Sequence, residues 1–233
     1  EPMSRELGMD STAQGWVTGS LAFAAAIGAL GCGRISDRFG RRTTIIGLST
    51  IFFIGALTCV FAPNVAVLIT GRTLLGLAVG GASAVVPVFL AELAPYEIRG
   101  SLSGRNELMV VGGQLAAFIV NALIGNVWGE HDGVWRWMFA ICTLPAIGLF
   151  DGMLRVPESP RWLLRVGNRE QALEVMKRIR SAERAEAEIA DIERTLQAEA
   201  ATQNDAAGKE SVGVRGWFVR ILLVGILVGA GQQ

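Results

Sequence analysis

Polar side chains recur inside an apolar stretch of this chain, where they could bind a hydrophilic molecule. Glu107, Gln114 and Asn121 lie seven residues apart within the apolar segment 103–127. Because seven residues is close to two turns of an α-helix, these side chains are predicted to share one helix face. Polar groups in an apolar segment are costly, so each is a candidate for function. This face either lines an aqueous path inside a bundle or forms hydrogen bonds between helices.

A second candidate is Arg72, a cation within the apolar segment that begins at residue 65. At 1.5 Å per residue, its position is on the order of 10 Å along the helix from that start. The guanidinium could reach toward the surface along its own aliphatic stem. Alternatively, it could pair with a carboxylate from a helix outside this sequence. The residues alone leave both interpretations open.

Six apolar segments would position these residues. Hydrophobic residues make up 51% of the 233 positions, while charged residues make up only 18%. The hydrocarbon core of a bilayer is about 30 Å thick and needs about 20 apolar residues in a helix. The chain is therefore predicted to be an all-α membrane protein, with spans near 14–33, 43–61, 65–91, 103–127, 134–155 and 216–233.

Positive charge is concentrated on one side of these segments, although the net charge is zero. Of the 21 Lys and Arg residues, four lie in 34–42, two in 92–107 and twelve in 155–220. On the opposite side lie only Arg5 and Arg136. Because basic residues in short loops set the orientation of membrane proteins, the loop 34–42 is predicted to be cytoplasmic and the start of the chain external.

Small residues and prolines within the spans predict how the helices pack. Gly76 and Gly80 have small-xxx-small spacing, and Gly28 lies in another glycine-rich segment. Lipid provides no hydrophobic drive for helices to associate, so these residues predict a bundle held by close packing. Pro87 and Pro145 predict kinks, because proline removes a backbone donor from a helix.

Between the fifth and sixth segments, residues 156–215 are rich in Glu, Arg and Ala. Ser159 followed by Pro160 predicts an N-cap and the first residue of a short helix, which Gly167 would end. Because acids and bases interleave and form no basic patch, we expect a solvated cytoplasmic connector that does not bind nucleic acid.

Two further helices are predicted in this connector. Asn168 with Gln171 resembles a capping box that opens the first of them. Its apolar face is formed by Ala172, Val175, Met176 and Ile179, and a following charged helix carries Ile189, Ile192 and Leu196. Residues 202–213 are predicted to be a linker.

The remaining chemistry-bearing residues predict no catalytic or metal site. Cys32, Cys59 and Cys142 lie in apolar segments, and the lone His131 lies in a predicted external loop. Without a nucleophile–base pair or a metal-spaced cluster, we expect neither an enzyme nor a bound cofactor. No signal peptide opens the chain, and its last apolar segment has no flanking loop, so we expect a fragment.

Five short motifs together resemble one family of membrane proteins. The run from Gly33 to Arg42 resembles the signature loop of the major facilitator superfamily. The other motifs resemble its sugar porter branch: Gly71-Arg72, Pro87-Val88-Phe89-Leu90-Ala91-Glu92-Leu93-Ala94-Pro95, Arg99-Gly100 and Pro157-Glu158-Ser159-Pro160-Arg161-Trp162-Leu163. The resemblance covers essentially the whole chain. It implies a major facilitator helical bundle, incomplete here, with the second to seventh of twelve spans.

The resemblance also implies three domains. Residues 1–155 would be an amino-terminal transmembrane bundle that lacks its first helix. Residues 156–213 would be the intracellular helical domain with its linker. Residues 214–233 would begin a truncated carboxy-terminal bundle, and the missing remainder of that half would be required for transport.

Individual residues take roles from the same resemblance. Arg72 matches an arginine that pairs with an aspartate of the absent first span in proton-coupled members. Gln232 and Gln233 match glutamines that hydrogen-bond sugar hydroxyls, since an amide offers both a donor and an acceptor. A cytoplasmic charge network that closes the inner gate, through modest and breakable pairs at a wet surface, would comprise Asp37, Arg38, Arg41, Arg42, Glu92, Arg99, Glu158 and Arg161.

Two positions depart from the family pattern. Phe89 stands where tyrosine is usual, which removes a hydroxyl near the inner gate. Glu107 stands where hexose porters usually place a sugar-binding glutamine, and an ionised carboxylate accepts hydrogen bonds but donates none. The run from Arg105 to Met109 resembles bacterial inositol porters. The expected substrate-binding residues are Glu107, Gln114, Gln232 and Gln233.

The resemblance implies a secondary transporter that works by alternating access in the inner (plasma) membrane. Its expected partners are a sugar or inositol-like cyclic polyol, protons and the lipid bilayer. Two alternatives stay open. The protein could be a nutrient sensor that keeps the ligand pocket without transport, or an inactive truncated porter fragment.

Overall fold

The structure, a computed structural model, describes residues 8–95, 98–128 and 133–207, without the side chains of 99, 103, 179 and 199–207. Within these ranges the chain forms nine α-helices and no strand. The helices are α1 (Ser11–Phe39), α2 (Arg41–Val60), α3 (Val65–Leu93), α4 (Arg99–Trp128), α5 (Val134–Ile141), α6 (Thr143–Arg155), α7 (Pro160–Arg165), α8 (Arg169–Ile179) and α9 (Ala182–Ala207).

Five of the predicted spans are helical and are long and apolar enough to cross a membrane: α1, α2, α3, α4 and the pair α5 with α6. The prediction of an all-α membrane protein is confirmed. The sixth predicted span, 216–233, lies outside the described residues. The end of the bundle where α1 meets α2 carries Arg34, Arg38, Arg41 and Arg42, and we call it the basic end. The opposite end is where α2 meets α3.

Close packing of α1 against α3 depends on glycine. A Cβ atom at Gly76 would collide with the backbone carbonyl group of Leu21 in α1. A Cβ atom at Gly80 would collide with the carbonyl group of Ala25. Gly28 approaches the backbone of α3 equally closely. The predicted role of these small residues in helix packing is confirmed.

The two prolines in the spans have different effects. Pro87 lies inside α3, which stays helical from Val65 to Leu93. In the fifth span the helix is interrupted at Cys142, three residues before Pro145. Proline cannot donate to the carbonyl group four residues earlier, and Pro145 thereby leaves Ile141 at the end of α5 without that bond. The helix is therefore interrupted near Pro145, whereas it is continuous through Pro87.

Two apolar clusters form the core of the bundle. One, nearer the opposite end, contains Val17, Cys59, Leu68, Leu75 and Trp135 among its buried residues. The other, nearer the basic end, contains Cys32, Ile45, Leu48, Val85, Phe89 and Met153. Phe89, which replaces the usual tyrosine, is 3% exposed in this cluster. An apolar ring suits that environment, because a buried hydroxyl would need a hydrogen-bond partner.

The connector begins as predicted. Ser159 is the N-cap of α7 and accepts a hydrogen bond from the Trp162 backbone N–H, with Pro160 as the first helical residue. Gly167 ends the helix with φ = +86°, a conformation that favours glycine. Asn168 caps α8 by accepting from the backbone N–H of Gln171.

The predicted apolar face of α8 is also present, because Ala172, Val175 and Met176 are buried. The side chain of Ile179 lies outside the described residues. Helix α9 continues to Ala207, so the prediction of a linker from residue 202 is wrong for residues 202–207. Alanine has the highest helix propensity, and the alanines just before residue 202, together with Ala206 and Ala207, favour the longer helix. The chain divides into two compact units, and α9 belongs to the second, which begins at Ser181.

Candidate functional site

The turn between α1 and α2 is held by a carboxylate from the connector. Gly40 makes this turn with φ = +96°. Beside it, Glu158 Oε1 accepts hydrogen bonds at 2.9 Å from the backbone N–H groups of Arg42 and Ser159. A Cβ atom at Gly40 would collide with the Glu158 carboxylate. Glu158 therefore satisfies a free amide at the start of α2, where the helix dipole also favours negative charge.

Arg41, the first residue of α2, is buried and contacts two carboxylates. Its Nε lies 3.1 Å from Glu92 Oε2 at the end of α3, and its Nη2 lies 2.8 Å from Asp37 Oδ1. Its Nη1 also donates to the backbone oxygen of Ser36 at 3.1 Å. The Arg41 and Glu92 side chains are only 7% and 9% exposed. This pair does not lie at a wet surface as the family resemblance implied, so loss of either partner removes the closest buried counter-charge of the other.

Glu92 also receives a hydrogen bond from the connector. Ser159 Oγ donates to Glu92 Oε2 at 2.5 Å, and Ser159 is fully buried. The same Oγ accepts from the backbone N–H of Trp162 at 3.3 Å. Hydrogen bonds to an ionised acceptor are short and strong. One hydroxyl group therefore caps α7 and joins it to the end of α3.

Arg42 connects the start of α2 to the end of α6. Its Nε donates to the backbone oxygen of Met153 at 2.9 Å, and its Nη2 donates to that of Leu154 at 2.8 Å. The last carbonyl groups of a helix lack partners within the helix and carry partial negative charge. A guanidinium at this position satisfies them and fixes the two spans together.

Asp37 connects the end of α1 to α7 at a more exposed position. Its Oδ1 lies 3.1 Å from Arg165 Nη1, and its backbone oxygen accepts from Trp162 Nε1 at 3.0 Å. The Arg165 and Asp37 side chains are 42% and 52% exposed. Exposed ion pairs typically contribute less than about 1 kcal/mol. The pairs of the basic end therefore differ in depth, from buried to solvated.

The structure brings together part of the predicted charge network, which we call the gate cluster: Asp37, Arg41, Arg42, Glu92 and Glu158, with Ser159, Trp162 and Arg165. Of the other predicted members, Arg38 is exposed, with its Cζ 5.6 Å from the ring centroid of Phe39. Arg161 is half-buried in α7. Arg99 is the first residue of α4, and its side chain lies outside the described part of the chain.

Three members of the gate cluster were not predicted as members. Ser159 and Trp162 stand inside a motif that the sequence singles out, but their contacts with Glu92 and Asp37 join residues more than sixty positions apart. Arg165 lies one helical turn after Arg161 in the predicted short helix, which is the only signal that could have found it.

At the opposite end, Arg72 contacts an aromatic ring. Its Cζ lies 5.5 Å from the ring centroid of Phe139 in α5. Arg72 is half-buried, and its Nε has no hydrogen-bond partner among the described residues. The sequence contains no signal for this contact, because both residues sit in separate apolar segments.

The predicted ligand residues are placed only in part. Helix α4 is continuous from Arg99 to Trp128, so Glu107, Gln114 and Asn121 share one face as predicted. All three side chains are exposed, and α4 is the least buried of the five spans. Gln232 and Gln233 lie outside the described residues.

Comparison with protein families matches residues 2–233 to the family described as Sugar (and other) transporter. Among curated proteins, the major myo-inositol transporter IolT of Bacillus subtilis is 47% identical over 228 residues, which is 98% of this chain and 48% of that protein. The chain thus spans about half the length of the curated relatives that it matches.

Solved structures of the xylose transporter XylE from E. coli are also similar. A partially occluded, inward-open form has a TM-score of 0.76 at 31% identity, covering 80% of this chain and 49% of that chain. The proton:xylose symporter XylE bound to 6-bromo-6-deoxy-D-glucose has a TM-score of 0.78 at 29% identity, covering 84% and 47%. The helices described above therefore have the arrangement of part of a major facilitator bundle.

Proposed function

The chain belongs to the Sugar (and other) transporter family, and on this premise we propose that it forms part of a secondary transporter for a sugar or cyclic polyol. The observation that carries the proposal is the gate cluster. Its contacts join α1, α2, α3 and α7 at one end of an apolar bundle. Alternating access requires such contacts to form in one state and to separate in the other.

The ion pairs of the gate cluster differ in solvent exposure, which supports a gate with one exposed pair and one buried pair. The exposed Asp37–Arg165 pair separates at small cost, because water solvates both charges once they part. The buried Arg41–Glu92 pair can separate only if water enters the basic end at the same time. We therefore propose that opening of this end hydrates Arg41 and Glu92 together.

For the substrate, we propose an inositol-like polyol bound at the exposed polar face of α4. Glu107 and Gln114 lie on that face, and Gln232 and Gln233 would complete the site. An ionised carboxylate accepts hydrogen bonds from neighbouring hydroxyls, which a cyclic polyol presents around its ring. Similarity to a myo-inositol transporter supports this choice.

For the coupling ion, we propose protons, with Arg72 as the cation that interacts with a titratable carboxylate. A nearby cation stabilises the ionised form of a carboxylate, so a change in their distance would couple proton release to conformational change. Similarity to a proton:xylose symporter supports this part of the proposal.

The wider context of the chain follows from the same family. We propose the bacterial inner membrane as its location, with the basic end cytoplasmic, as the arginine-rich loop 34–42 favours. We also propose the division into a bundle (1–155), an intracellular connector (156–213) and the start of a second bundle (214–233).

Uptake by the full-length protein in proteoliposomes tests the transport proposal. We expect labelled myo-inositol to accumulate, and we expect its addition to alkalinise the external medium if protons enter with it. Uptake without alkalinisation would exclude proton coupling and leave a facilitator. Binding of inositol without any flux would contradict transport and favour the nutrient sensor.

A Glu107→Gln variant tests the substrate proposal. The amide restores a donor and removes the charge, so we expect inositol uptake to fall relative to hexose uptake, by roughly tenfold for one charge-assisted hydrogen bond. Asn126→Gln, in the same helix but outside the run from Arg105 to Met109, is the matched control. If the variant ranks inositol against hexoses as the unchanged protein does, Glu107 does not determine substrate specificity.

A further inference from the structure

The guanidinium of Arg72 contacts the ring of Phe139, a residue outside the Gly71-Arg72 motif. Its Cζ lies 5.5 Å from the ring centroid of Phe139, which places the cation within the range of a cation–π interaction. Arg72 lies in α3 and Phe139 in α5, so the contact joins two different spans. The interaction is strongest where water is excluded, and Phe139 lies partly buried against an apolar cluster.

The ring of Phe139 is itself held in place. Trp135 packs against it edge to face, with ring centroids 6.2 Å apart at an interplanar angle of 88°. Trp135 is buried, and the Cζ of Arg136 lies 5.0 Å from its ring. Two cations and two rings thus form a connected set at the opposite end of the bundle. A ring packed against a buried tryptophan offers a defined position to the Arg72 guanidinium.

The geometry leaves part of the Arg72 guanidinium unused. A π face attracts the cation without accepting its N–H groups in the plane of the guanidinium. Among the described residues, Arg72 Nε is buried without a hydrogen-bond partner. A buried donor without an acceptor is unfavourable, so this edge is suited to a carboxylate or another strong acceptor.

We propose that Phe139 is a positioning residue for Arg72. Its ring holds the guanidinium between α3 and α5 and leaves the N–H edge free for an acceptor. The observed contact between Arg72 and Phe139 by itself supports this positioning role. Its consequence for proton-coupled transport rests on the proposed function above.

A double-mutant cycle in the full-length protein separates these two claims. The variants are Phe139→Leu, Arg72→Met and both together, with melting temperatures measured in the same detergent. Phe139→Leu removes the π face but keeps an apolar side chain, and Arg72→Met removes the charge but keeps most of the aliphatic length. We expect Phe139→Leu to lower the melting temperature by about 1–2 °C more when Arg72 is present than when it is Met.

Two further variants identify the chemistry of the contact. Phe139→Tyr keeps an aromatic face and should restore the melting temperature lost in Phe139→Leu. Phe61→Leu changes an exposed ring just after α2, at the same end of the bundle, and should leave the melting temperature close to that of the unchanged protein. Equal effects of Phe139→Leu in both Arg72 backgrounds would overturn the positioning role of Phe139, as would failure of the tyrosine variant to restore stability.

Transport supplies the separate readout. In the uptake assay we expect Phe139→Leu to lower kcat/KM by about fivefold, with rescue in Phe139→Tyr. If the melting temperatures show coupling but the unchanged protein transports nothing, the proposed function is wrong. Phe139 would still be a positioning residue for Arg72. Transport that is unaffected by Phe139→Leu, despite that coupling, would show that the position of Arg72 is not needed for transport.

Discussion

The two ends of the bundle hold Arg41 and Arg72 in different ways. At the basic end, Arg41 contacts the carboxylates of Glu92 and Asp37, and a serine from the connector completes the site. At the opposite end, Arg72 contacts the face of Phe139, and its Nε has no hydrogen-bond partner within the described residues. Charge at the basic end is thus balanced by carboxylates within the described residues, whereas the described partner of Arg72 is an uncharged ring.

The largest loss of stability is expected when Glu92, the buried partner of Arg41, is removed. In Glu92→Ala, Arg41 stays buried with only the more exposed Asp37 as a carboxylate partner, and Ser159 loses its acceptor. Breaking a buried pair in this way costs about 3–5 kcal/mol, so the melting temperature of the purified full-length protein should fall steeply. The double variant Arg41→Met with Glu92→Leu should recover most of this loss, because apolar residues of similar volume need no partner. If Glu92→Ala lowers the melting temperature no more than Arg165→Ala does, the Arg41–Glu92 pair is solvated.

A smaller effect is expected at the connector's contact with Glu92. Ser159→Ala removes the N-cap of α7 and the hydrogen bond to Glu92, which should cost about 1–3 kcal/mol in the free energy of unfolding. Ser159→Thr keeps the hydroxyl and is the matched control. Chemical denaturation of both variants measures the difference. Equal stability of the alanine and threonine variants would contradict the role assigned to the hydroxyl group.

The smallest effect is expected at the solvated pair. Arg165→Ala removes the ion pair with Asp37, in which both side chains are partly exposed. We expect less than about 1 kcal/mol of lost stability, and we expect the difference from the unchanged protein to shrink further as salt is raised. A larger loss that does not depend on salt would show that this pair is not solvated, and the distinction in depth within the gate cluster would fail.

Local signals in the sequence predicted the elements well. Long apolar segments predicted six spans, and the five within the described residues are helical, because a helix satisfies its own backbone hydrogen bonds in lipid. Ser159 before Pro160 predicted the start of α7, and Gly167 predicted its end, because caps depend on residues close in the chain. The linker prediction failed at residues 202–207, where the helix of the preceding alanine-rich stretch continues to Ala207.

Contacts between distant residues were predicted less completely. The family resemblance grouped Arg41 with Glu92, but it did not indicate that the pair is buried or that Ser159 shares it. Glu158 was expected in a network of charges, and the structure shows it bound to the backbone amide at the start of α2. Such partners depend on where the connector lies against the α1–α2 turn, and periodicity carries no information on that.

Span length, charge bias and capping are local properties, so the amino-acid sequence was enough to predict a set of apolar helices with a basic end and a charged connector. The tertiary structure alone decided which charges are buried and what each contacts. Depth and partnership arise from the packing of α1 against α3, of α7 against the α1–α2 turn and of the Phe139 ring against Arg72. The energy of a charge depends on these surroundings far more than on its neighbours in the chain.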